Sequence, residues 1–352
     1  MHSTSQNKPV AVVGASGHTG RFVVDELQRR NLDAILIARD ARKLAAVGET
    51  YRGSETRVAF VDDPASLDSA LAGAAAVINC AGPFLDTALP VVDAALRAKI
   101  PYLDVTAEQT AVDSLGSRDV DARQSQVVVL PAAAFFGGLA DLLAASVMSN
   151  SGEVDEIAVA VALDSWNPTK GTRVTGERNT ARRLIVKNGT LQPVEEPQPR
   201  GSWAFPAPFG DQDVAMLPLS ETITLSRHLK AASIESWMNL TALRDVRDSS
   251  TPAPTPIDEK RRSSQMFIMD VLVRAGEQRT RATALGHDIY AVSAPIIVEA
   301  LQRVLAGEAA AMAGVRSLGE IFDARAFLET LAHGDNLRVQ YQSSTKPLLT
   351  RK

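Results

Sequence analysis

Short apolar runs rich in β-branched residues alternate with amphipathic segments through the first 130 or so residues. Predicted strands are VAVV (10–13), AILIA (34–38), RVAFV (57–61), AAVINCA (75–81), YLDVT (102–106) and VVVLP (127–131). Predicted helices between them include RFVVDELQRR (21–30), PASLDSALAG (64–73) and TALPVVDAALRA (87–98). This alternation is typical of an α/β protein with a parallel sheet covered by helices on both faces.

The pattern changes after about residue 150 and becomes less regular. Strands are predicted at EIAVAVALD (156–164), ITLSRHL (223–229), IESWMNLTAL (234–243) and TRATALGHDIYA (280–291). Helices are predicted at TRVTGERNTARRLIVKN (172–188), EKRRSSQMFIMDVLVRAG (259–276), IIVEALQRVLAG (296–307) and FDARAFLETLAHG (322–334). Proline and glycine predict loops at 193–211 and 248–259. The length of 352 residues suggests about two domains.

Composition and charge narrow the class of protein. The formal net charge is −4 and no basic stretch dominates, which argues against a nucleic-acid partner. The lone cysteine, Cys80, cannot form an internal disulfide and fits a reducing, cytoplasmic location. The apolar stretch 127–148 is interrupted by Pro131 and Asp141, so a strand, a loop and a helix are predicted rather than a transmembrane segment. The histidines lack the spacing of metal ligands, and no metal is expected.

The segment GASGHTG (14–20) follows the first predicted strand and precedes a predicted helix. Glycines at this position allow a tight turn and a close approach of backbone to a pyrophosphate, and the helix N-terminus favours the negative charge. The predicted cofactor contacts here are Gly14, Ser16, Gly17, His18, Thr19 and Gly20. The sequence therefore predicts a dinucleotide site.

The residues after the second predicted strand bear on the choice of dinucleotide. An NAD site usually has an acid there, whereas Arg39 and Lys43 could bind a 2′-phosphate. Asp40 is adjacent and could serve a ribose instead, so NAD(H) remains the alternative to NADP(H). Asp62, just past the third strand, is a predicted contact to the adenine.

The segment INCAGPF (78–84) ends the fourth predicted strand. Ligands of doubly wound folds lie beyond the carboxyl ends of the strands. We therefore predict that Asn79, Cys80, Ala81, Gly82 and Pro83 face the cofactor near its nicotinamide ribose. Cys80 could also be a nucleophile, but a small buried apolar role is the favoured interpretation.

Four motifs in this order, GASGHTG, LIARD-ARKL, INCAGPF and PYLDVTAEQ (101–109), resemble the NADP-binding domain of saccharopine-dehydrogenase-like oxidoreductases, a group that includes trans-acting enoyl reductases. The resemblance covers about residues 1–140 and continues more faintly beyond. It implies a Rossmann-type doubly wound parallel sheet at the N-terminus and a second α+β domain. We predict a Rossmann domain over 1–134, a substrate and catalytic domain over 135–287, and helices over 288–352. These helices would pack back on the Rossmann domain or, alternatively, on a second subunit in a homodimer.

Candidate catalytic groups follow the fifth predicted strand. Asp104 and Glu108 lie at the ligand edge of the sheet and could donate a proton, or could be satisfied by nearby backbone N–H groups. Phe84 would border the substrate cleft, and Gly171 and Thr172 could bind a substrate carboxylate or simply begin a helix. No tyrosine has a lysine four residues later, which excludes the usual short-chain dehydrogenase pair.

The sequence thus predicts an NADP(H)-dependent oxidoreductase that acts on a small-molecule C=N or C=C substrate held between two domains. The alternative is a non-catalytic NADP-binding redox sensor or scaffold, because no residue is a clear acid–base catalyst.

Overall fold

A computed structural model describes residues 8–148, 152–334, 337–344 and 349–351. The strands of the first half are β1 (Val10–Val13), β2 (Ala34–Ala38), β3 (Glu55–Val58), β4 (Ala76–Asn79), β5 (Tyr102–Asp104) and β6 (Val128–Leu130). The helices are α1 (His18–Arg29), α2 (Ala41–Thr50), α3 (Pro64–Leu71), α4 (Phe84–Ala98), α5 (Gln109–Leu115), α6 (Asp119–Gln124) and α7 (Ala140–Val147).

The second half begins with β7 (Glu153–Leu163), α8 (Lys170–Arg178), β8 (Leu184–Lys187), β9 (Thr190–Pro193), β10 (Arg200–Ala204), β11 (Asp211–Met216), α9 (Ser220–His228), β12 (Lys230–Asn239) and α10 (Leu240–Arg247). It continues with β13 (Met266–Ala275), β14 (Gln278–His287), α11 (Ser293–Leu305), β15 (Gly314–Val315), α12 (Leu318–Ile321), α13 (Ala324–His333), β16 (Leu337–Ser344) and β17 (Leu349–Arg351).

Seven of the described strands form a parallel sheet in the order β15-β6-β5-β4-β1-β2-β3. Both faces are buried, since Val10 and Val12 pack in one apolar core and Ala11 and Val13 in another. The strand order reverses between β1 and β4, which is where doubly wound folds bind dinucleotides. The predicted α/β fold class, with its doubly wound parallel sheet and a second mixed domain, is confirmed.

The second sheet runs β16-β14-β13-β7-β12-β11-β10-β17, with β8 and β9 attached beside β12. Two predictions in this domain were wrong in type. Residues 266–275, predicted as helix, form β13, which pairs with β7 and β14 on its two sides. Of residues 223–229, predicted as strand, all but the last belong to helix α9. Short apolar runs do not distinguish the two states, and the neighbouring elements decide.

Three further boundaries differ from prediction. The predicted helix 172–188 is α8 followed by strand β8, because β8 pairs with β12. The predicted loop 193–211 contains β10. The predicted strand 234–243 divides between β12 and α10 at Asn239.

The second sheet curls strongly. Trp203 on β10 donates from Nε1 to Asp270 Oδ2 on β13 at 2.7 Å, although three strands separate β10 from β13. Arg281 on β14 donates to Asp270 Oδ1 at 2.8 Å and to the Ala204 carbonyl at 2.7 Å. Asp270 has no exposed surface. The concave face is therefore occupied by packed side chains around a buried ion pair.

The apolar stretch 127–148 consists of β6, a turn, a five-residue π-helical segment and α7. Among the described residues, no helix combines the length and apolar character that crossing a membrane requires.

The sequence predicts that residues 288–352 are helical and lie on the first domain or on a second subunit. In the structure, the described residues of this part divide between the two domains. Helix α11 packs on α1, where Arg30 donates to Glu299 at 2.6 Å, and β15 joins the first sheet beside β6. Strands β16 and β17 instead join the second sheet beside β14 and β10. Alternating apolar and polar residues in LRVQYQSS (337–344) are the strand signal that the helical prediction missed.

A buried histidine joins three helices of the domain junction. His228 on α9 contacts Asp141 Oδ1 on α7 at 2.6 Å, and Asp141 Oδ2 accepts from the Gly319 N–H on α12 at 2.6 Å. Burial lowers the pKa of His228, but the Asp141 carboxylate and the more distant Glu320 outweigh burial, so the pKa is raised overall. The folded protein therefore binds the proton of His228 more tightly than the unfolded chain does.

This pair predicts a pH dependence of stability. Because the folded-state pKa lies above the ordinary value of 6.5, the contribution of His228 is fully present below about pH 6.5. It is lost as pH rises through the folded-state pKa, at about 1.4 kcal/mol per unit of pKa difference. We expect the free energy of unfolding, measured by urea denaturation, to fall as the pH rises above about 6.5, and His228→Gln to flatten that fall. Parallel curves for the two proteins would contradict the assignment.

Candidate cofactor and substrate site

The glycine loop between β1 and α1 is packed directly against the end of β4. Gly14 has a φ of +81°, and a Cβ there would lie 2.8 Å from the backbone of Cys80 and Ala81. A Cβ on Gly20 would overlap the Gly14 carbonyl oxygen. Gly17 is the N-cap of α1 and donates its N–H to Gly14 O at 2.9 Å. Glycine is required at positions 14 and 20 by close backbone approach, as a pyrophosphate-binding turn demands.

The polar side chains of this loop differ in exposure and contacts. Ser16 and Thr19 are partly exposed beside the turn. The His18 ring stands edge-on to Phe22 and to Tyr290, with ring centroids 5.2 and 5.3 Å apart. Its Nε2 is buried and has no hydrogen-bond partner among the described residues. Burial lowers the pKa of His18, so the neutral imidazole is favoured.

At the carboxyl end of β2, the structure separates the roles of the charged residues. Asp40 accepts from the Arg42 and Lys43 N–H groups at 3.0 and 3.1 Å, and these bonds lower its pKa. It is thus the N-cap of α2. Arg39 and Lys43 are exposed at the same edge, and Asp62 is exposed beyond β3. One oxygen of the carboxylate that could have bound a ribose, Oδ1, is thus engaged by backbone.

Asn79, which has no exposed surface, holds the conformation of the loop that follows β4 (80–83). Its Oδ1 accepts from Ala81 N at 3.0 Å, and its Nδ2 lies 3.2 Å from Thr87 Oγ1 and 3.3 Å from Tyr102 Oη. Asn79 therefore orients the loop rather than facing the open edge. Burial raises the pKa of the Cys80 thiol, which is adverse to thiolate chemistry. Ala81, Gly82 and Pro83 form the accessible part of the loop.

Glu108 binds the N-terminus of α4. Its two carboxylate oxygens accept from Phe84 N at 2.8 Å and Leu85 N at 3.2 Å, and only 1% of the residue is exposed. Burial raises its pKa, and the two backbone bonds oppose this. The negative charge of the Glu108 carboxylate is stabilised by the partial positive charge at the N-terminus of α4, and its hydrogen bond with Phe84 N fixes the position of Phe84.

Asp104 is also bound to backbone. Oδ1 accepts from Thr106 N at 2.9 Å and Ala132 N at 2.8 Å, and Oδ2 accepts from Tyr102 Oη at 2.9 Å. Burial raises the pKa of Asp104 to about 6. These bonds join β5 to the turn after β6, which fits a structural carboxylate better than a proton donor.

Helix α8 of the second domain lies against the β4 loop. Thr169 caps it by accepting from Thr172 N at 3.1 Å. A Cβ on Gly82 would lie 3.4 Å from Thr175 Oγ1, and Arg178 pairs with Asp86 at the other end of the helix. The structure thus brings Thr175, three residues after the predicted substrate residue Thr172, beside the predicted nicotinamide loop.

Helix α9 supplies polar groups that sequence reasoning missed. Ser220 N donates to Ala107 O at 3.1 Å, so the start of α9 lies over the end of β5. Ser220 Oγ and Thr222 Oγ1 are buried and have no hydrogen-bond partner among the described residues. Glu221 is also buried; its Oε1 accepts from Leu219 N at 2.8 Å, and Ser236 lies within reach of its carboxylate. Arg183 lies near Glu221, and burial lowers its pKa although the Glu221 carboxylate opposes the shift. Pro218 before the segment and Glu221 in its first turn were the helix-start signals available in the sequence.

An open cavity of about 760 Å³ lies elsewhere in the second domain. Its lining comes from α10 and from Arg200, Gln212 and Asp213 on β10 and β11. No lining residue belongs to the parallel sheet. We therefore place the candidate site at the carboxyl edge of that sheet. The two predicted cofactor loops, which are the glycine loop (14–20) and the loop after β4 (80–83), meet there with helices α8 and α9. Among the described residues, no group of three or more potential ligands could hold a metal ion.

Comparisons with known proteins bear on the family that the first domain resembles. Residues 10–130 match the family model described as the saccharopine dehydrogenase NADP binding domain. The saccharopine dehydrogenase-like oxidoreductase of Homo sapiens is 31% identical over 117 residues, which are 28% of this chain and 27% of that protein. The Mus musculus protein is 28% identical over 152 residues, 38% of this chain and 35% of that protein. The match thus spans about a third of the length of these relatives.

The likeness in fold extends further than the likeness in sequence. The apo saccharopine dehydrogenase (L-Glu forming) from Saccharomyces cerevisiae superposes with a TM-score of 0.68 at 13% identity, over 96% of this chain and 100% of that one. The predicted resemblance to saccharopine-dehydrogenase-like oxidoreductases is confirmed, and it lies in residues 10–130, which match the NADP-binding domain of that family.

Proposed function

We propose that this protein is an NADP(H)-dependent oxidoreductase that transfers hydride between the nicotinamide and a C=N or C=C substrate held between its two domains. One observation carries the proposal. The two cofactor loops meet at the switch point of the parallel sheet, and helices α8 and α9 of the second domain stand over that edge. A site closed by a second domain excludes water and positions a substrate, which is most of what hydride transfer needs.

The residues of the first domain account for cofactor binding. Backbone N–H groups of the loop 14–20 and the start of α1 would bind the pyrophosphate, and Arg39 with Lys43 would bind the 2′-phosphate. Gly82 and Pro83 allow a flat ring to lie close to backbone. The bound nicotinamide supplies the hydride.

The substrate would face the second domain. Asp104 and Glu108 are engaged by backbone, so we take candidate groups that would bind or protonate a substrate from α9 and its surroundings. Glu221 is a buried carboxyl there, and Ser220 and Thr222 add hydroxyls without a hydrogen-bond partner among the described residues. Arg183 adds a partly exposed cation near Glu221. Phe84, held by Glu108, would form the apolar border of the cleft.

The engagement of both predicted carboxylates also favours a second candidate function, a redox sensor or scaffold that binds NADP(H) without turning it over. The two functions make different predictions for NADPH consumption. An enzyme oxidises NADPH with at least one member of a panel of imines, ketones and enoyl thioesters, whereas a sensor binds NADPH tightly and oxidises it with none.

The first test is a titration of NADPH and NADH, followed by nicotinamide fluorescence. Arg39→Ala is expected to weaken NADPH binding about ten- to a hundredfold, since it removes a charge-assisted hydrogen bond of about 1.5–3 kcal/mol. NADH affinity should stay unchanged because NADH lacks the 2′-phosphate. Arg52→Ala is the matched control, since Arg52 is exposed and precedes β3, at the opposite edge of the sheet. Equal weakening of both nucleotides by Arg39→Ala would contradict the 2′-phosphate role.

A further inference from the structure

Tyr290 connects the second domain to the glycine loop. It lies between β14 and α11, and its ring meets the His18 ring of α1 at 5.3 Å and 89°. Its hydroxyl contacts Thr172 Oγ1 at 2.9 Å, Trp166 Nε1 at 3.1 Å and Thr169 N at 3.4 Å. One side chain thus contacts the cofactor loop through its ring and the start of α8 through its oxygen.

The direction of these hydrogen bonds follows from counting donors. Trp166 Nε1 and Thr169 N can only donate, and a phenol oxygen accepts two bonds, so the hydrogen of Tyr290 is given to Thr172 Oγ1. Thr172 Oγ1 lies 3.0 Å from Thr169 Oγ1. The hydroxyls of Tyr290, Thr172 and Thr169 therefore have three hydrogens, whereas only two oxygen–oxygen contacts, Tyr290–Thr172 and Thr172–Thr169, need one each. One hydrogen is left over, on Thr169 or Thr172, as a donor for an acceptor outside the network.

The position of this donor points to its acceptor. Thr172 and Thr175 are three residues apart and share a face of α8, and Thr175 is the residue that approaches Gly82. His18 places the same network beside the glycine loop. A dinucleotide at the switch point runs from the glycine loop to the β4 loop, between these two contacts.

We propose that the second domain completes the cofactor site: the Tyr290–Thr172–Thr169 network donates a hydrogen bond to an oxygen of the nicotinamide nucleotide half of NADP(H). Tyr290 is a positioning residue, since it acts through the direction that it gives the Thr172 hydroxyl. The proposal rests on the proposed function, because it takes NADP(H) as the ligand. It moves Thr172 from the substrate to the cofactor and explains why an element of the second domain reaches the cofactor loops.

The test compares two probes, NADPH and adenosine 2′,5′-bisphosphate, which lacks the nicotinamide nucleotide. Dissociation constants are measured by calorimetric titration for wild type, Tyr290→Phe and Thr172→Val. Each variant is expected to weaken NADPH binding about tenfold, the loss of one hydrogen bond, and to leave the adenosine fragment unchanged. Thr172→Ser keeps the hydroxyl and should bind NADPH nearly as wild type does. Thermal unfolding of each variant verifies that it is folded.

Tyr51→Phe is the matched control. The Tyr51 hydroxyl makes another contact between the domains, to Arg261 Nη2 at 2.7 Å, on the side of α1 that carries Asp25. If Tyr51→Phe weakens NADPH as much as Tyr290→Phe does, the effect comes from domain association and the proposal is overturned. Unchanged NADPH affinity in Tyr290→Phe and Thr172→Val overturns it as well, as does equal weakening of both probes. A wild-type protein that binds neither probe instead defeats the proposed function itself, and with it this inference.

Discussion

Gly20→Ala is expected to reduce NADPH binding by at least about a hundredfold. The added Cβ would overlap the Gly14 carbonyl oxygen and lie 3.0 Å from the Ala15 Cα. Both are backbone atoms, so the loop must open rather than adjust a side chain. Opening it removes several backbone hydrogen bonds to phosphate, each of about 1.5–3 kcal/mol when charge-assisted, and the loss of two corresponds to at least about a hundredfold. Fluorescence titration with NADPH measures the effect.

Gly176→Ala is the control for that substitution. Gly176 is exposed on α8, and a Cβ there meets no atom within 4 Å. NADPH affinity should be unchanged, and the helix should gain up to about 1 kcal/mol from the better propensity of alanine. Circular dichroism of Gly20→Ala establishes that the remaining fold is intact. Wild-type affinity in a folded Gly20→Ala protein would show that the glycine loop does not bind the pyrophosphate.

The second large effect is expected at the buried ion pair of the second domain. Asp270→Ala leaves Arg281 charged and buried, and it also removes the partner of Trp203 Nε1. Breaking one side of a buried pair costs about 3–5 kcal/mol, so the free energy of unfolding should fall by about that amount. Urea denaturation followed by circular dichroism measures it.

Two further variants are the controls for the unfolding measurement on Asp270→Ala. Asp68→Ala breaks the exposed pair between Asp68 and Arg97 and should cost less than about 1 kcal/mol. Arg281→Leu added to Asp270→Ala removes the orphaned charge and should restore part of the lost stability. A loss below about 1 kcal/mol for Asp270→Ala would mean that this pair does not stabilise the curled sheet.

The candidate site was predictable to the extent that its signals are local. The glycine loop, the exposed Arg39 and the INCAGPF segment each lie at a strand end, and parallel strands bring their carboxyl ends to one edge. The sequence could not predict the direction in which each side chain points or the partner that it binds. Asp104 and Glu108 lie at the expected edge, but the N–H groups of Ala132 and Phe84 occupy their oxygens. The partners of the Asn79 amide nitrogen likewise come from α4 and β5.

The sequence by itself determined most of the first sheet, because β1, β2, β4, β5 and β6 are short apolar runs that the predicted strands match. It placed β3 (Glu55–Val58) two residues too late, since that strand is largely polar and exposed, and it did not predict β15. The order of the predicted strands along the chain leaves few ways to build a parallel sheet. Only the tertiary structure decided the second domain. The run MFIMDVLVRA (266–275) is apolar enough for a helix or a strand, and its place between β7 and β14 makes it a strand. The same holds for the site, since Glu221 and Tyr290 are more than a hundred residues from the glycine loop. Only the packing of the second domain over the sheet edge brings them near it. That packing is stabilised by the burial of residues that are far apart in the sequence, and such contacts leave no local sequence pattern.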